Sequence, residues 1–125
     1  MKGILTVLIV CALLAGSPTA SGAEGEVITP YDLRKASIDN LSAAKEQYLN
    51  KTVLIKGVVI STGMSRYMTP NVVLSDQGAE AICVLPYLDV AKLSGFNQGQ
   101  TVTMSGRVHN MTEERTVIKE CRAVE

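Results

Sequence analysis

The sequence has few aromatic residues and very little histidine. Among its 125 residues there is no tryptophan, one phenylalanine and one histidine, and aromatic residues make up 4% of the chain. A hydrophobic core must therefore be built from Val, Ile, Leu, Met and Ala. Because zinc sites need three or four protein ligands, the lone His109, without a cysteine pair at zinc spacing, predicts no metal site.

An excess of charge of either sign is also missing. Lys and Arg together number 12, as do Asp and Glu. A neutral chain lacks the broad positive field that drives non-specific nucleic-acid binding, so nucleic acid is a possible but disfavoured partner. Motifs of serine hydrolases, zinc proteases and phosphate-binding loops are absent, and no nucleophile or acid/base group is evident. We therefore expect no enzyme, no catalytic residue and no cofactor.

The pattern of residues 1–23 is typical of a secretory signal peptide. Lys2 supplies a positive start, residues 4–14 are apolar, and small residues precede a cleavage site near Ala23. The apolar segment is too short to span a bilayer comfortably, so we expect no transmembrane segment in the mature chain. Cys11 lies inside that segment and does not follow a small residue, which argues against a lipoprotein anchor. We predict a periplasmic or secreted protein.

Cleavage would leave two cysteines, Cys83 and Cys121. An even number of cysteines in an exported protein suggests a disulfide, because oxidising compartments permit one. The alternative is a pair of buried thiols that pack as small hydrophobic groups. A catalytic cysteine would need a neighbouring base, and His109 lies in a predicted turn.

Residues 24–50 contain the signals of one helix behind a short lead-in. Thr29 is a good N-cap, Pro30 suits the first helical position, and Asp32 stands where the acid of a capping box is found. Residues at spacings of three or four then form one modest face, Leu33, Ser37, Leu41, Ala44 and Tyr48. We expect this helix to lie across a sheet.

Residues 52–62 form a long β-branched stretch interrupted at Gly57, and the same spacing recurs at 101–108 around Gly106. An isolated glycine in a strand marks a bulge or bend. A long bent strand pairs with different neighbours before and after its bend, and small barrels close in this way. Further segments are predicted as strands at 71–75, 79–85 and 115–124, with a short helix at 86–93 between the third and fourth strands.

This order predicts a mainly β chain, with residues 51–125 forming a five-stranded OB-fold Greek-key barrel preceded by an N-terminal α-helix. Several residues stand at the spacing of a known family: Leu33, Asn40, Ala44, Tyr48, Lys51, Val53, Gly57, Cys83, Gly99, Gln100, Val102, Gly106, Ile118 and Cys121. Through them, the sequence from about residue 30 onward resembles exported bacterial OB-fold proteins of the tRNA-anticodon-binding-like (tRNA_anti-like) family. The family name records a likeness of fold and does not imply that this chain binds tRNA.

The resemblance implies that the third and fifth barrel strands are neighbours, which would bring Cys83 and Cys121 within reach of each other. We predict a structural disulfide between them. Such a bridge, closing a loop of about 37 residues, would stabilise the chain by on the order of 3–4 kcal/mol in the simple loop-entropy model.

OB-folds bind ligands across strands two and three and through the loops after strands one and four. The first of these loops supplies Arg66 and Tyr67, while Lys56 and Arg107 flank the two strand glycines. These four are the predicted ligand-binding residues of a non-catalytic exported module that recognises a protein or small polar ligand. The alternative is a single-stranded nucleic acid or oligosaccharide bound by the same face, and strongly salt-dependent binding to an oligonucleotide would favour it.

Overall fold

The computed structural model describes residues 26–124, so the predicted signal peptide and cleavage site lie outside the described residues. The elements along the chain are β1 (Val27–Ile28), α1 (Pro30–Asp39), α2 (Leu41–Tyr48), β2 (Thr52–Met64), β3 (Pro70–Asp76), β4 (Ala79–Val84), a 3-10 helix (Tyr87–Gly95), β5 (Thr101–Met111) and β6 (Arg115–Val124). Across residues 26–124, every helix is too short or too polar to cross a membrane.

The N-terminal helical region begins as predicted but is divided in two. The Thr29 hydroxyl accepts a hydrogen bond from the Asp32 backbone amide, and the Asp32 carboxylate accepts one from the Thr29 amide, both at 3.0 Å. The single predicted helix ends at Asn40, whose backbone is extended and whose Oδ1 accepts from the Ala43 amide at 3.1 Å. Because an asparagine side chain competes for backbone hydrogen bonds, it ends α1 and caps α2 at the same residue.

The strands close into a barrel with the order β1-β2-β3-β4-β6-β5, and β5 pairs again with β2. Residues 52–58 of β2 pair with β5, whereas residues 58–64 pair with β3. The change of partner occurs at Val58, directly after Gly57, where an added Cβ would lie 3.1 Å from both Leu74 Cβ and the Ser75 carbonyl oxygen. The predicted bent strand and the five-stranded OB barrel are thus confirmed, with the short β1 added in parallel to β2.

Helix α1 belongs to the core rather than covering the sheet from outside. It packs against β3, β4 and β6 and buries Pro30, Leu33 and Ser37. Leu33 is fully buried in the same cluster as Ile55, Met104 and the other inward-facing strand residues. The helix and the barrel therefore share one hydrophobic core.

The two cysteines lie on neighbouring strands, because β4 and β6 pair in parallel and Cys83 is in register with Ile118. Both are buried and free, so the predicted disulfide is not formed in this structure. The Cys121 thiol instead donates a hydrogen bond to the Ile118 carbonyl oxygen at 3.3 Å. Contact with the Cys121 side chain, followed by burial, raises the pKa of the Cys83 thiol well above its usual range. The pair packs as two buried thiols, which was the alternative left open by the sequence.

The connection from β4 to β5 forms a 3-10 helix where a short helix was predicted. Its backbone is kinked at Asp89, which has φ −96° and ψ 17°, and none of its residues is fully buried. Of its apolar side chains, Leu93 packs partly against the core, as does Phe96 just after the helix. This end of the barrel is therefore covered less closely than a buried helix would cover it.

Candidate ligand-binding face

The outer side of strands β3, β4 and β6 forms a continuous, partly apolar surface. Alternate residues of these strands point into the core, so the intervening ones point outward. Val73 of β3 is in register with Ile82 of β4, which is in register with Val117 of β6. The half-buried outward residues of these strands make up what we call the β3–β4–β6 face: Asn71, Val73, Ser75, Glu80, Ile82, Val84, Val117 and Lys119.

A tight loop at one end of this face projects three large side chains outward. The Ser65 hydroxyl lies 2.6 Å from the Thr69 hydroxyl and accepts a hydrogen bond from the Tyr67 backbone amide at 3.1 Å. The Ser65 amide also donates to the Thr69 carbonyl oxygen at 2.9 Å. Because these hydrogen bonds close the loop on itself, the side chains of Arg66, Tyr67 and Met68 are exposed to solvent. Tyr67 is 78% exposed.

A second group of exposed apolar side chains follows β4 at the same end. The Leu85 amide donates to the Pro70 carbonyl oxygen at 2.9 Å, which joins the start of β3 to the segment before the 3-10 helix. Tyr87 and Leu88 come directly after this junction and are 64% and 87% exposed. The exposed apolar residues of the two segments together form what we call the apolar rim: Met64, Tyr67, Met68, Tyr87 and Leu88.

The opposite end of the face is acidic. The turn between β5 and β6 is held by Thr112, whose hydroxyl accepts from the amides of Glu114 and Arg115 at 3.2 Å. Glu113 and Glu114 are exposed there, and the Arg115 guanidinium lies 3.6 Å from the carboxylate of Glu80. Because its one arginine is already paired, this end offers a net negative charge to a ligand that crosses the face.

The structure does not bring the four predicted site residues together. Arg66 and Tyr67 stand at the loop end of the β3–β4–β6 face. Lys56 is paired in register with Thr103, and Arg107 with Thr52, so both lie on the part of β2 and β5 that precedes the bend. The Arg107 guanidinium is also engaged by Glu120, with Nη2 3.3 Å from Oε2. The predicted set therefore divides between two surfaces.

Sequence reasoning missed the apolar part of the face. Ile82 stands between Ala81 and Cys83, and the alternation in this strand was the signal that it points away from the core. Leu88 falls within the short helix predicted at 86–93, and the sequence did not determine which side of that helix faces solvent. No group of three His, Cys, Asp or Glu side chains suited to a metal ion occurs among residues 26–124.

Comparisons with known proteins agree with this architecture. The family model tRNA_anti-like matches residues 4–122. A Klebsiella pneumoniae lipoprotein, described as a candidate nucleic acid-binding protein, is 15% identical with a TM-score of 0.68, and the match covers 87% of this chain and 100% of that one. A candidate aspartyl-tRNA synthetase from Leishmania major is 16% identical with a TM-score of 0.55, and the match covers 90% of this chain and 23% of that one. No curated protein matches the chain.

Proposed function

The chain belongs to the tRNA_anti-like family, and on that premise we propose that it is a non-catalytic OB-fold module that binds a protein partner through the β3–β4–β6 face and the apolar rim. The observation that carries this proposal is the apolar rim itself. Contiguous exposed apolar side chains on a monomer mark interaction sites more often than single ones do. Here five of them stand on two segments, residues 64–68 and 87–88, on either side of the hydrogen bond between Leu85 and Pro70.

The composition of the surface supports a protein partner. Interface cores are enriched in Tyr, Met and Arg and depleted in Lys, Glu and Asp, and the loop end of the face offers Arg66, Tyr67, Met68 and Tyr87. The aliphatic row Val73, Ile82 and Val117 extends this area without adding charge. The charged groups stand at the edge, where contacts contribute less to affinity.

We also propose that the partner is met outside the cytoplasm. The signal-peptide pattern of residues 1–23 supports export. The Klebsiella pneumoniae neighbour is described as a lipoprotein, which is an exported class of protein. The partner sought is therefore a protein of the cell envelope.

Site-specific photo-crosslinking tests the protein-binding proposal. A photoreactive residue placed at Ile82, in the middle of the face, should yield one crosslinked envelope protein in cells. The same residue at Ser105, on the outer side of β5 and away from the face, is the matched control and should yield none. The variants Leu88→Ser and Tyr67→Ser should each remove the Ile82 product, while Tyr31→Ser, on α1, should leave it. Equal products from positions 82 and 105, or no product from either, would contradict the proposal.

Single-stranded nucleic acid is the second candidate ligand. The observation that favours it is the pair of exposed tyrosines, Tyr67 and Tyr87, beside Arg66 at one end of the face. Bases stack on exposed aromatic rings, and each stacked base contributes about 1–3 kcal/mol. The acidic pair Glu113 and Glu114 opposes a phosphate backbone at the other end.

Fluorescence anisotropy of labelled oligo-dT and oligo-rU with residues 24–125 decides between the two candidates. Binding that falls steeply with added salt, and that weakens about tenfold in Tyr67→Ala, would establish the second function. Arg34→Gln, on the outer side of α1, controls for the loss of a surface side chain. Absence of binding at low salt would exclude nucleic acid and leave the protein partner.

A further inference from the structure

A cavity of about 620 Å³ opens at the end of the barrel that the 3-10 helix covers. It lies between this helix, the first residues of β5 and the last residues of β6, and it shares no residue with the β3–β4–β6 face or the apolar rim. Small-molecule sites are concave and have volumes of roughly 300–1,000 Å³. The cavity is therefore of a suitable size for a small ligand.

The cavity follows from the way this segment packs. Because the 3-10 helix is kinked at Asp89 and buries none of its residues fully, the space beside β5 and β6 is not filled by side chains. What remains is an apolar wall made by Leu85, Phe96 and Val102, of which Leu85 is buried. Thr101 and Thr103 add hydroxyl groups from the β5 side.

Charge at the mouth selects the kind of ligand. Asp89 and Lys92 both line the cavity and form an ion pair with each other at 3.5 Å, so their charges offset. Arg122 also lines the cavity and makes no ion pair within residues 26–124. Within residues 26–124, the cavity lining therefore includes one arginine without an ion pair, beside an apolar wall.

From these features we propose that the cavity is a binding site for a small carboxylate with an apolar or aromatic body. The body lies against Phe96, Leu85 and Val102, and the carboxylate accepts hydrogen bonds from the Arg122 guanidinium, whose planar geometry suits a carboxylate. The threonine hydroxyls of β5 are within the same cavity as further donors. This site is distinct from the surface assigned to the macromolecular partner.

Phenylacetate and its neutral analogue phenylacetamide are the probes that test the site. In NMR titrations of residues 24–125, phenylacetate should bind saturably and shift the amide signals of Val102 and Ala123, which line the cavity. Because a hydrogen bond between two charged groups is stronger than one to a neutral amide, phenylacetamide should bind about tenfold more weakly or worse. Equal binding of the two probes, or no saturable binding of phenylacetate, would overturn the proposal.

Two variants locate the binding. Arg122→Gln should reduce the affinity for phenylacetate about tenfold, to that of the amide, while Arg34→Gln, on α1, should leave it unchanged. Thr101→Trp, at an exposed position on the cavity wall, should block it. Tyr67→Ala removes a rim residue and should not affect phenylacetate, which separates this site from the proposed function. Binding that survives both Arg122→Gln and Thr101→Trp would show that the cavity is not the site.

Discussion

At the scale of single residues, the junction of β5 and β6 depends on a glycine and a bulge. Two residues of β6, Glu120 and Cys121, stand opposite the single residue Gly106 of β5. Glu120 takes φ 57°, a left-handed conformation that side chains rarely adopt, and the bulge directs Cys121 into the core. A Cβ on Gly106 would lie 2.8 Å from the Cys121 sulfur. The glycine is required by this close approach.

Gly106→Ala should therefore destabilise the protein. The new methyl group would stand 2.6 Å from Ile118 Cγ2 and 3.0 Å from the Lys119 carbonyl oxygen, so strand β6 must shift. We expect the free energy of unfolding to fall by about 1–3 kcal/mol, which is typical of overpacking. Urea denaturation measures the change. Gly63→Ala is the matched control, since nothing lies within 4 Å of its Cβ and the change should be small.

At the scale of elements, local signals determine where the two N-terminal helices begin and end, and packing determines where they lie. The capping box places the start of α1, and Asn40 places its end, both through hydrogen bonds within four residues of chain. Asn50 follows α2 with φ 66°, the left-handed conformation in which an asparagine often ends a helix. The helix face is weak, yet Leu33 is fully buried, because contact with the barrel rather than helix propensity holds α1 in place.

Leu33→Ala tests whether α1 is part of the barrel core. Removing a fully buried leucine side chain should lower the free energy of unfolding by about 2–5 kcal/mol, through lost burial and the cavity left behind. Ile38→Ala, on the same helix but 54% exposed, is the control and should have a much smaller effect. Thermal and urea unfolding provide the measurement. Equal effects of the two variants would show that the helix is docked only loosely.

At the scale of the whole molecule, stability at high pH depends on two groups that stand in different parts of the fold. Tyr48 ends α2, and burial, followed by the negative charges of Glu26 and Asp32, raises the pKa of its hydroxyl. The pKa of Cys83, in β4, is also raised, by Cys121 and by burial. Both groups hold their protons more tightly in the folded protein than in the unfolded chain.

Stability should therefore decline on the alkaline side. The contribution of each group is fully present below its unfolded pKa, about 8.5 for cysteine and about 10 for tyrosine, and is lost as the pH rises through its raised folded pKa. Urea unfolding from about pH 8 to about pH 11 should show this decline, and Tyr48→Phe should lessen its upper part. A decline in Tyr48→Phe identical to that of the unaltered protein would refute the assignment to Tyr48.

The amino-acid sequence by itself determined the features that depend on near neighbours along the chain. The glycine at 57 marked the bend of β2, the glycine at 106 marked the bulge between β5 and β6, the capping box marked the start of α1, and the order of segments predicted the OB barrel. These predictions were correct because backbone freedom, capping and strand periodicity are local properties of the sequence. The disulfide prediction was correct about neighbouring strands, but both thiols are free in this structure, and the Cys121 thiol donates to the Ile118 carbonyl oxygen of its own strand.

Only the tertiary structure decided which side chains share a surface. Val73, Ile82 and Val117 form one row through the register of three strands, and register depends on long-range pairing that sequence spacing does not reveal. Lys56 and Arg107 lie on a different surface from Arg66 and Tyr67, because the two halves of β2 pair with different strands. The cavity beneath the 3-10 helix likewise exists through a poor fit between distant segments. Local chemistry determined the elements of this protein, and closure of the barrel determined its surfaces.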